Sequence, residues 1–146
     1  MNKYEILAVL KRKVDEKIAH LQQLIDETRA SNNDTKSSMG DKYETGREML
    51  QQEINNLQSQ LKVVVDQKNE LEKLTNEPRT KVEKGALVQT TNGWFYISVS
   101  YGEILLDGKK IFAISPESPL AKAMWNKSKN EIFILNGKQQ SVTTVL

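Results

Sequence analysis

The chain has 146 residues, with 21 lysines and arginines against 19 aspartates and glutamates, 38% hydrophobic residues, one histidine and no cysteine. That length holds one ordinary domain or two small units with separate cores, and it excludes a large multi-layer enzyme. Without cysteine there is no thiol nucleophile, disulfide framework, cysteine-ligated zinc or iron–sulfur cluster. A single histidine, His20, leaves no histidine-rich metal site and weakens any histidine-based triad. The net charge of +2 is far from the strongly basic balance of a protein that coats nucleic acid, so no sequence-specific nucleic-acid binding is expected. No apolar run approaches the roughly 20 residues of a membrane span, and the start MNKYEILAVLKRK lacks a signal-peptide layout. The expectation is a soluble cytoplasmic protein with no membrane partner.

The composition divides near Pro78. Residues 1–79 carry 13 basic and 14 acidic side chains but only two of the nine aromatics, Tyr4 and Tyr43. Residues 80–146 carry eight lysines, no arginine, five acids and the other seven aromatics. A charged, aromatic-poor half followed by a glycine-punctuated aromatic half reads as helices followed by strands. Pro78 disfavours helix at the residue before it, which places the join at Asn76–Arg79. The expected units are 1–77, with a tip at about 30–41, and 80–146.

In the first half Leu7, Leu10, Val14, Ile18, Leu21, Ile25 and Thr28 recur at steps of three or four. They form one apolar stripe on a helix about 40 Å long. Leu50, Ile54, Leu57, Leu61, Val64, Leu71 and Leu74 form a second stripe, with Lys68 standing where an apolar residue is due. A narrow stripe on a long helix needs a partner helix. Because the Ala30–Met39 connection is short and polar, the helices are expected to pair within one chain as an antiparallel coiled-coil hairpin, leaving a monomer. An intermolecular coiled coil is the rival arrangement.

The second half reads as six short strands: Ala86–Thr90, Trp94–Ser100, Glu103–Leu106, Lys110–Ile114, Ile132–Leu135 and Ser141–Val145. Turn signals separate them at Thr91–Gly93, Tyr101-Gly102, Asp107-Gly108 and Asn136-Gly137. Between them Ser118 suits an N-cap, Pro119 the first helical position, and Leu120–Met124 a helix. The fold class is therefore α+β: a long helical hairpin, then a small antiparallel β domain with one short helix.

The expected tip, Ser31–Glu44, holds three carboxylates, Asp34, Asp41 and Glu44. Asp41 and Glu44 share a helical face. One reading is structural: Ser37 or Ser38 caps the helix, and the two acids favour the positive end of its dipole. The other is functional. Carboxylates on a long probe make sense when delivered into another protein's active site, where they help hold a hard cation such as Mg²⁺.

Ser118-Pro119-Leu120-Ala121-Lys122-Ala123-Met124 resembles the Ser-Pro-(Ile/Leu)-Ala-(Arg/Lys)-Ala-(Leu/Met) segment in the C-terminal domain of the bacterial Gre transcript-cleavage factors. It follows a strand ending Ile111–Ser115 and precedes a terminal hairpin, as in that family. The order of parts is similar too: an N-terminal antiparallel coiled coil, then an FKBP-like β domain. At the tip Asp34-Thr35-Lys36 resembles the family's G-D-L-K-E-N-A-E-Y stretch, with Tyr43 at its tyrosine and Arg47-Glu48 at the basic–acidic pair beyond. Two departures stand out: Ser37 occupies the place of the family's second tip acid, and Lys42 replaces an acid beside Tyr43.

The resemblance implies a transcription elongation factor that binds RNA polymerase and inserts its coiled-coil tip into the polymerase secondary channel. There the tip acids assist cleavage of backtracked RNA at the polymerase's own metal site. Some relatives dock and modulate without stimulating cleavage, and the altered tip bears on that step rather than on docking. The implied docking residues are Ser115, Pro116, Ser118, Pro119, Lys122 and Trp125. Asp34 and Asp41 would meet Mg²⁺ only within the complex, with Glu44 beside them. No intrinsic catalysis and no intrinsic cofactor are expected. The alternative is a structural coiled-coil adaptor with no polymerase role.

Several residues also have plainer readings. Trp94, Phe95, Tyr96, Tyr101, Phe112 and Phe133 read as sheet and core aromatics rather than the lining of a prolyl-isomerase pocket. Trp125, among Asn126, Lys127 and Lys129, reads as partly exposed, either a docking anchor or packing under the helix. Lys11-Arg12-Lys13 and His20 read as solvated helix face. Gly46 costs about 1 kcal/mol within a helix and points to a close helix approach or a bend.

Overall fold

The computed structural model describes the backbone of residues 1–35 and 42–146 and the side chains of residues 1–32 and 46–146. The fold is α+β. Two long helices, α1 (Lys3–Thr35) and α2 (Lys42–Glu72), precede strands β1 (Leu87–Thr90), β2 (Gly93–Ile97), β3 (Gly102–Leu106) and β4 (Lys109–Ile114). A short helix α3 (Pro119–Met124) follows, then β5 (Ile132–Leu135) and β6 (Lys138–Val145). The chain forms two compact units, one of Arg12–Lys68 and one of Met1–Lys11 with Asn69–Leu146.

The Arg12–Lys68 unit is a helix pair. Val14, Leu21, Ile25, Ile54, Leu57 and Val64 are buried at the spacing the two stripes predict. Lys68, polar where the stripe asks for an apolar residue, pairs its Nζ with Asp15 Oδ1 at 3.1 Å. Both side chains are about half exposed, so the pair contributes no more than about 1 kcal/mol. The same contact sets the direction of the helices. Residues 15–35 span about 30 Å and 42–68 about 39 Å. A six-residue connection reaches at most about 25 Å, so Asp15 and Lys68 meet only if the helices run antiparallel. Helix α1 continues to Thr35, five residues past the expected start of the connection. Nothing from Ala30 to Thr35 is glycine or proline, and serine, asparagine and threonine disfavour helix by only a few tenths of a kcal/mol each. His20, Arg12 and Lys13 are exposed, as expected.

The second unit is built on a six-stranded sheet in the order β3-β4-β2-β1-β6-β5. Four pairings are antiparallel, and β2 with β4 is parallel. That departure from a wholly antiparallel sheet arises where β2 stops at Ile97, short of the expected Ser100. Ser98 still donates its N–H to Ile114 O at 2.8 Å. The chain then passes outside β4, and β3 returns as the edge strand. Asp107-Gly108 and Asn136-Gly137 all have positive φ (51°, 75°, 53° and 76°). They form the two-residue turns whose twist matches that of a hairpin.

On one face of the sheet Val88, Ile97, Phe133 and Val142 pack with Val82, Ala86 and the inward side of α3, Ala121 and Met124. The opposite face carries the register row Leu87, Tyr96 and Ala113, also buried. Ile6, Leu7, Leu10 and Leu71, from the helix ends belonging to this unit, are buried as well. No described helix is long and apolar enough to cross a membrane.

Candidate functional site

The segment that carries the resemblance folds as its residue types dictate. Ser118 has extended backbone (φ −64°, ψ 149°), and its Oγ accepts the Ala121 N–H at 3.2 Å. Pro119 takes the first helical position, where a missing N–H is harmless. Ala121 and Met124, three apart, point into the core, while Lys122 faces solvent. Six of the seven matching residues therefore have structural duties: cap, helix start, two buried core contacts and, in Leu120 and Ala123, two partly buried ones.

What this segment shows to solvent is a smaller set. Lys122 Nζ lies 3.9 Å from Glu117 Oε2, both well exposed, so the lysine remains available to a partner. Trp125 forms the C-cap of α3, its N–H donating to Lys122 O at 3.3 Å, and its side chain is 37% exposed. It is the partly exposed aromatic that its polar neighbours predict. Ser115 and Pro116 are half-buried, and Ser115 O accepts the Ser118 N–H at 3.1 Å, closing the turn before the helix. Asn126 follows in the left-handed region (φ 63°), a conformation asparagine tolerates. Its N–H donates to Val82 O at 2.9 Å, and Val82 N–H donates to Lys127 O at 2.9 Å. These two bonds fasten Lys81–Val82 against the segment after α3. Lys81, Lys127 and Lys129 thus join Lys122 and Trp125 on adjoining segments.

The tip acids lie outside this description. Asp34 belongs to α1 and Glu44 to α2, but their side chains are outside the described residues, as are Asp41, Ser37 and Ser38 altogether. Among the described residues no group of three or more histidine, cysteine, aspartate or glutamate side chains could hold a metal ion. Gly46 lies in α2, and among the described residues a Cβ there would meet nothing within 4 Å.

A third cluster escaped the sequence. Lys3 is buried and donates from Nζ to Glu77 O at 2.7 Å and Leu146 O at 3.2 Å. Burial lowers its pKa, the Arg79 guanidinium lowers it further, and Glu83 opposes both. Arg79 Nη1 donates to Glu83 Oε1 at 3.0 Å. Arg79 Nε and Tyr96 Oη are buried without a hydrogen-bond partner among the described residues. Burial pushes the Tyr96 phenol up to about 12, against a smaller opposing influence of Arg79. A lysine at position 3 gives no sign of meeting residues 77 and 146, because the contact is made only when the sheet closes. Beside it an open cleft of about 500 Å³ is lined by residues that include Met1, Tyr4, Asn76 and Pro78. None of the expected site residues lines that cleft. Elsewhere Glu70 is drawn below the usual carboxylate range by hydrogen bonds from Lys84 and Lys73.

The fold and the α3 surface define a class: a long antiparallel helix pair in one unit, and in the other a mixed sheet carrying a capped helix with an exposed cation and aromatic. No family model matches the chain, and no curated protein matches it. Two solved structures are similar along it. The crystal structure of GreA factor homolog 1 (Gfh1) of Thermus thermophilus is 16% identical, with all of this chain and 96% of that one covered and a TM-score of 0.34. A structure of the transcription factor Gfh1 is also 16% identical, covering 99% of this chain and 94% of that one at a TM-score of 0.34. Likeness at that level assigns this chain no activity or partner.

Proposed function

We propose that this chain is a Gre-like transcription elongation or modulating factor that binds RNA polymerase and has no catalysis of its own. The observation that supports this most is the Ser118–Met124 segment. It matches the Gre pattern and forms a capped helix, in a chain whose long helix pair precedes its sheet. In this reading Lys122 and Trp125, held outward by the cap and by the buried Ala121 and Met124, dock on the polymerase. Ser115, Pro116, Ser118 and Pro119 shape that surface rather than touch the partner through free polar groups. The helix pair carries Asp34, Asp41 and Glu44 into the secondary channel. There the carboxylates share Mg²⁺ with the polymerase, oxygen ligands suiting that hard cation.

The test has two stages. A pull-down with the cognate RNA polymerase should retain the wild-type chain, and failure to associate overturns the reading. With a backtracked elongation complex, Asp34→Ala or Asp41→Ala should then abolish transcript cleavage while leaving binding intact. Binding without cleavage by the wild type would instead identify a modulator. The adaptor reading needs stripes that pair between chains; the Asp15–Lys68 contact and the stripes buried within one chain favour the intramolecular pairing.

A further inference from the structure

We propose that the open edge of β5 is a binding site for an extended segment of another protein, apolar at alternate positions and acidic at both ends, which adds to the sheet as a seventh strand. The edge is open because β5 is the last strand in the order and pairs only with β6. The register fixes which backbone groups face outward. The two-residue Asn136-Gly137 turn makes Leu135 and Lys138 a hydrogen-bonded pair, and such pairs alternate along an antiparallel ladder. Ile134↔Gln139 and Ile132↔Ser141 are then the non-bonded pairs. The other end of the strand agrees, since Val142 N–H donates to Glu131 O at 2.9 Å, two steps beyond Phe133. The N–H and C=O of both Ile132 and Ile134 consequently point away from β6, a row of two donors and two acceptors spaced for another strand.

The side chains say what that strand would carry. Phe133 turns inward and is buried, whereas Ile132 and Ile134 are 51% and 66% exposed on the opposite face. Alternating β-branched or aromatic residues suit them as cross-strand neighbours. Across from them on β6 stand Ser141 and Gln139, so the face holds no charge that would repel an apolar partner. Charge enters only at the ends. Lys129 and Lys138 bracket the strand, both exposed and with no ion pair among the described residues. The intervening Glu131 is engaged, its Oε1 accepting the Ser128 N–H at 3.0 Å. The common protections of an edge, a proline or an inward charge, are missing from Ile132–Leu135. A second copy of this chain is the poorer occupant. In such a pairing lysines would flank lysines, whereas acidic ends complement them. Strand addition to a sheet edge is an established mode of peptide capture.

The probe is a capped nine-residue peptide of alternating valine and threonine with a glutamate at each end, titrated into the isotope-labelled full chain. The amide signals of Ile132 and Ile134 should shift and gain protection from hydrogen exchange. Ile134→Asp should weaken binding at least tenfold with the melting temperature held, because the residue is exposed. Lys129→Gln with Lys138→Gln should weaken it several-fold and abolish its salt dependence. A peptide N-methylated at the positions facing β5 should not bind. Absence of a shift at millimolar peptide, or shifts confined to another surface, would overturn the proposal. So would protection of Ile132 and Ile134 that rises with protein concentration alone, which would make the occupant a second copy. None of these readouts involves the polymerase, so this inference and the proposed function stand or fall separately.

Discussion

The two units bury their apolar residues in different ways. In Arg12–Lys68 each helix hides a single stripe, and among the described residues the buried side chains lie on those stripes. In the sheet unit the core unites residues as distant as Val82, Met124 and Val142, and burial depends on strands paired out of sequence order. The helix pair thus leaves its outward faces free for charge. The sheet unit instead buries Ala121 and Met124 of α3 and leaves Lys122 and Trp125 exposed. One region suits reach and the other suits presentation, which is the division of labour that the proposed function requires.

Substitutions sharpen this contrast. The largest effect is expected from Met124→Ala, which opens a cavity between α3 and the sheet and should destabilise by about 3 kcal/mol in urea unfolding. Met49→Ala, on an exposed face of α2, should stay within about 0.5 kcal/mol. Equal losses at the two methionines would dissolve the comparison. The next effect is in pH. The folded-state pKa of Tyr96, about 12, lies above the ~10 of an unfolded tyrosine. Stability should therefore be full below pH 10 and fall by about 2–3 kcal/mol as pH rises through 12. Tyr96→Phe should remove that slope and, by deleting a buried hydroxyl without a partner, leave neutral-pH stability equal or higher. Denaturant titrations between pH 9 and 12 measure both.

Smaller changes probe the termini of the helices. Ser118→Ala removes the oxygen that accepts the Ala121 N–H and should cost about 1 kcal/mol. Its fluorescence signature from the adjacent Trp125 would show whether the α3 surface loosens along with the cap. Gly46→Ala should stabilise by up to ~1 kcal/mol, since α2 is helical there and a Cβ meets nothing within 4 Å among the described residues. A loss on Gly46→Ala, read from the thermal midpoint, would restore the case for a conformational need at that glycine.

Much of this fold is legible in the sequence because its signals are local. The stripes predict Val14, Leu21, Ile54 and Val64 as buried, and Asp107-Gly108 and Asn136-Gly137 mark the turns of two hairpins, though β6 begins at Lys138, three residues before the expected Ser141. Ser118 and Pro119 announce α3. Non-local features stay hidden. The parallel pairing of β2 with β4 depends on where the chain goes after Ile97, and nothing in Ser98–Tyr101 encodes that passage. Nothing local marks Lys3 as the donor to Glu77 O and Leu146 O, residues far from it in sequence. Ile-Phe-Ile-Leu shows no polar alternation, so the exposure of Ile132 and Ile134 follows only from the strand's place at the edge. Of the expected site, Lys122 and Trp125 are exposed, and Ser118 and Pro119 begin α3 as the cap reading expects.

The central claim is association with RNA polymerase through the surface that α3 presents. Co-sedimentation of the purified chain with the cognate polymerase tests it directly. The account predicts a complex with the wild type and a markedly weaker one with Trp125→Ala combined with Lys122→Glu, the double variant folding like the wild type. Migration of the wild-type chain as though the polymerase were absent would contradict it.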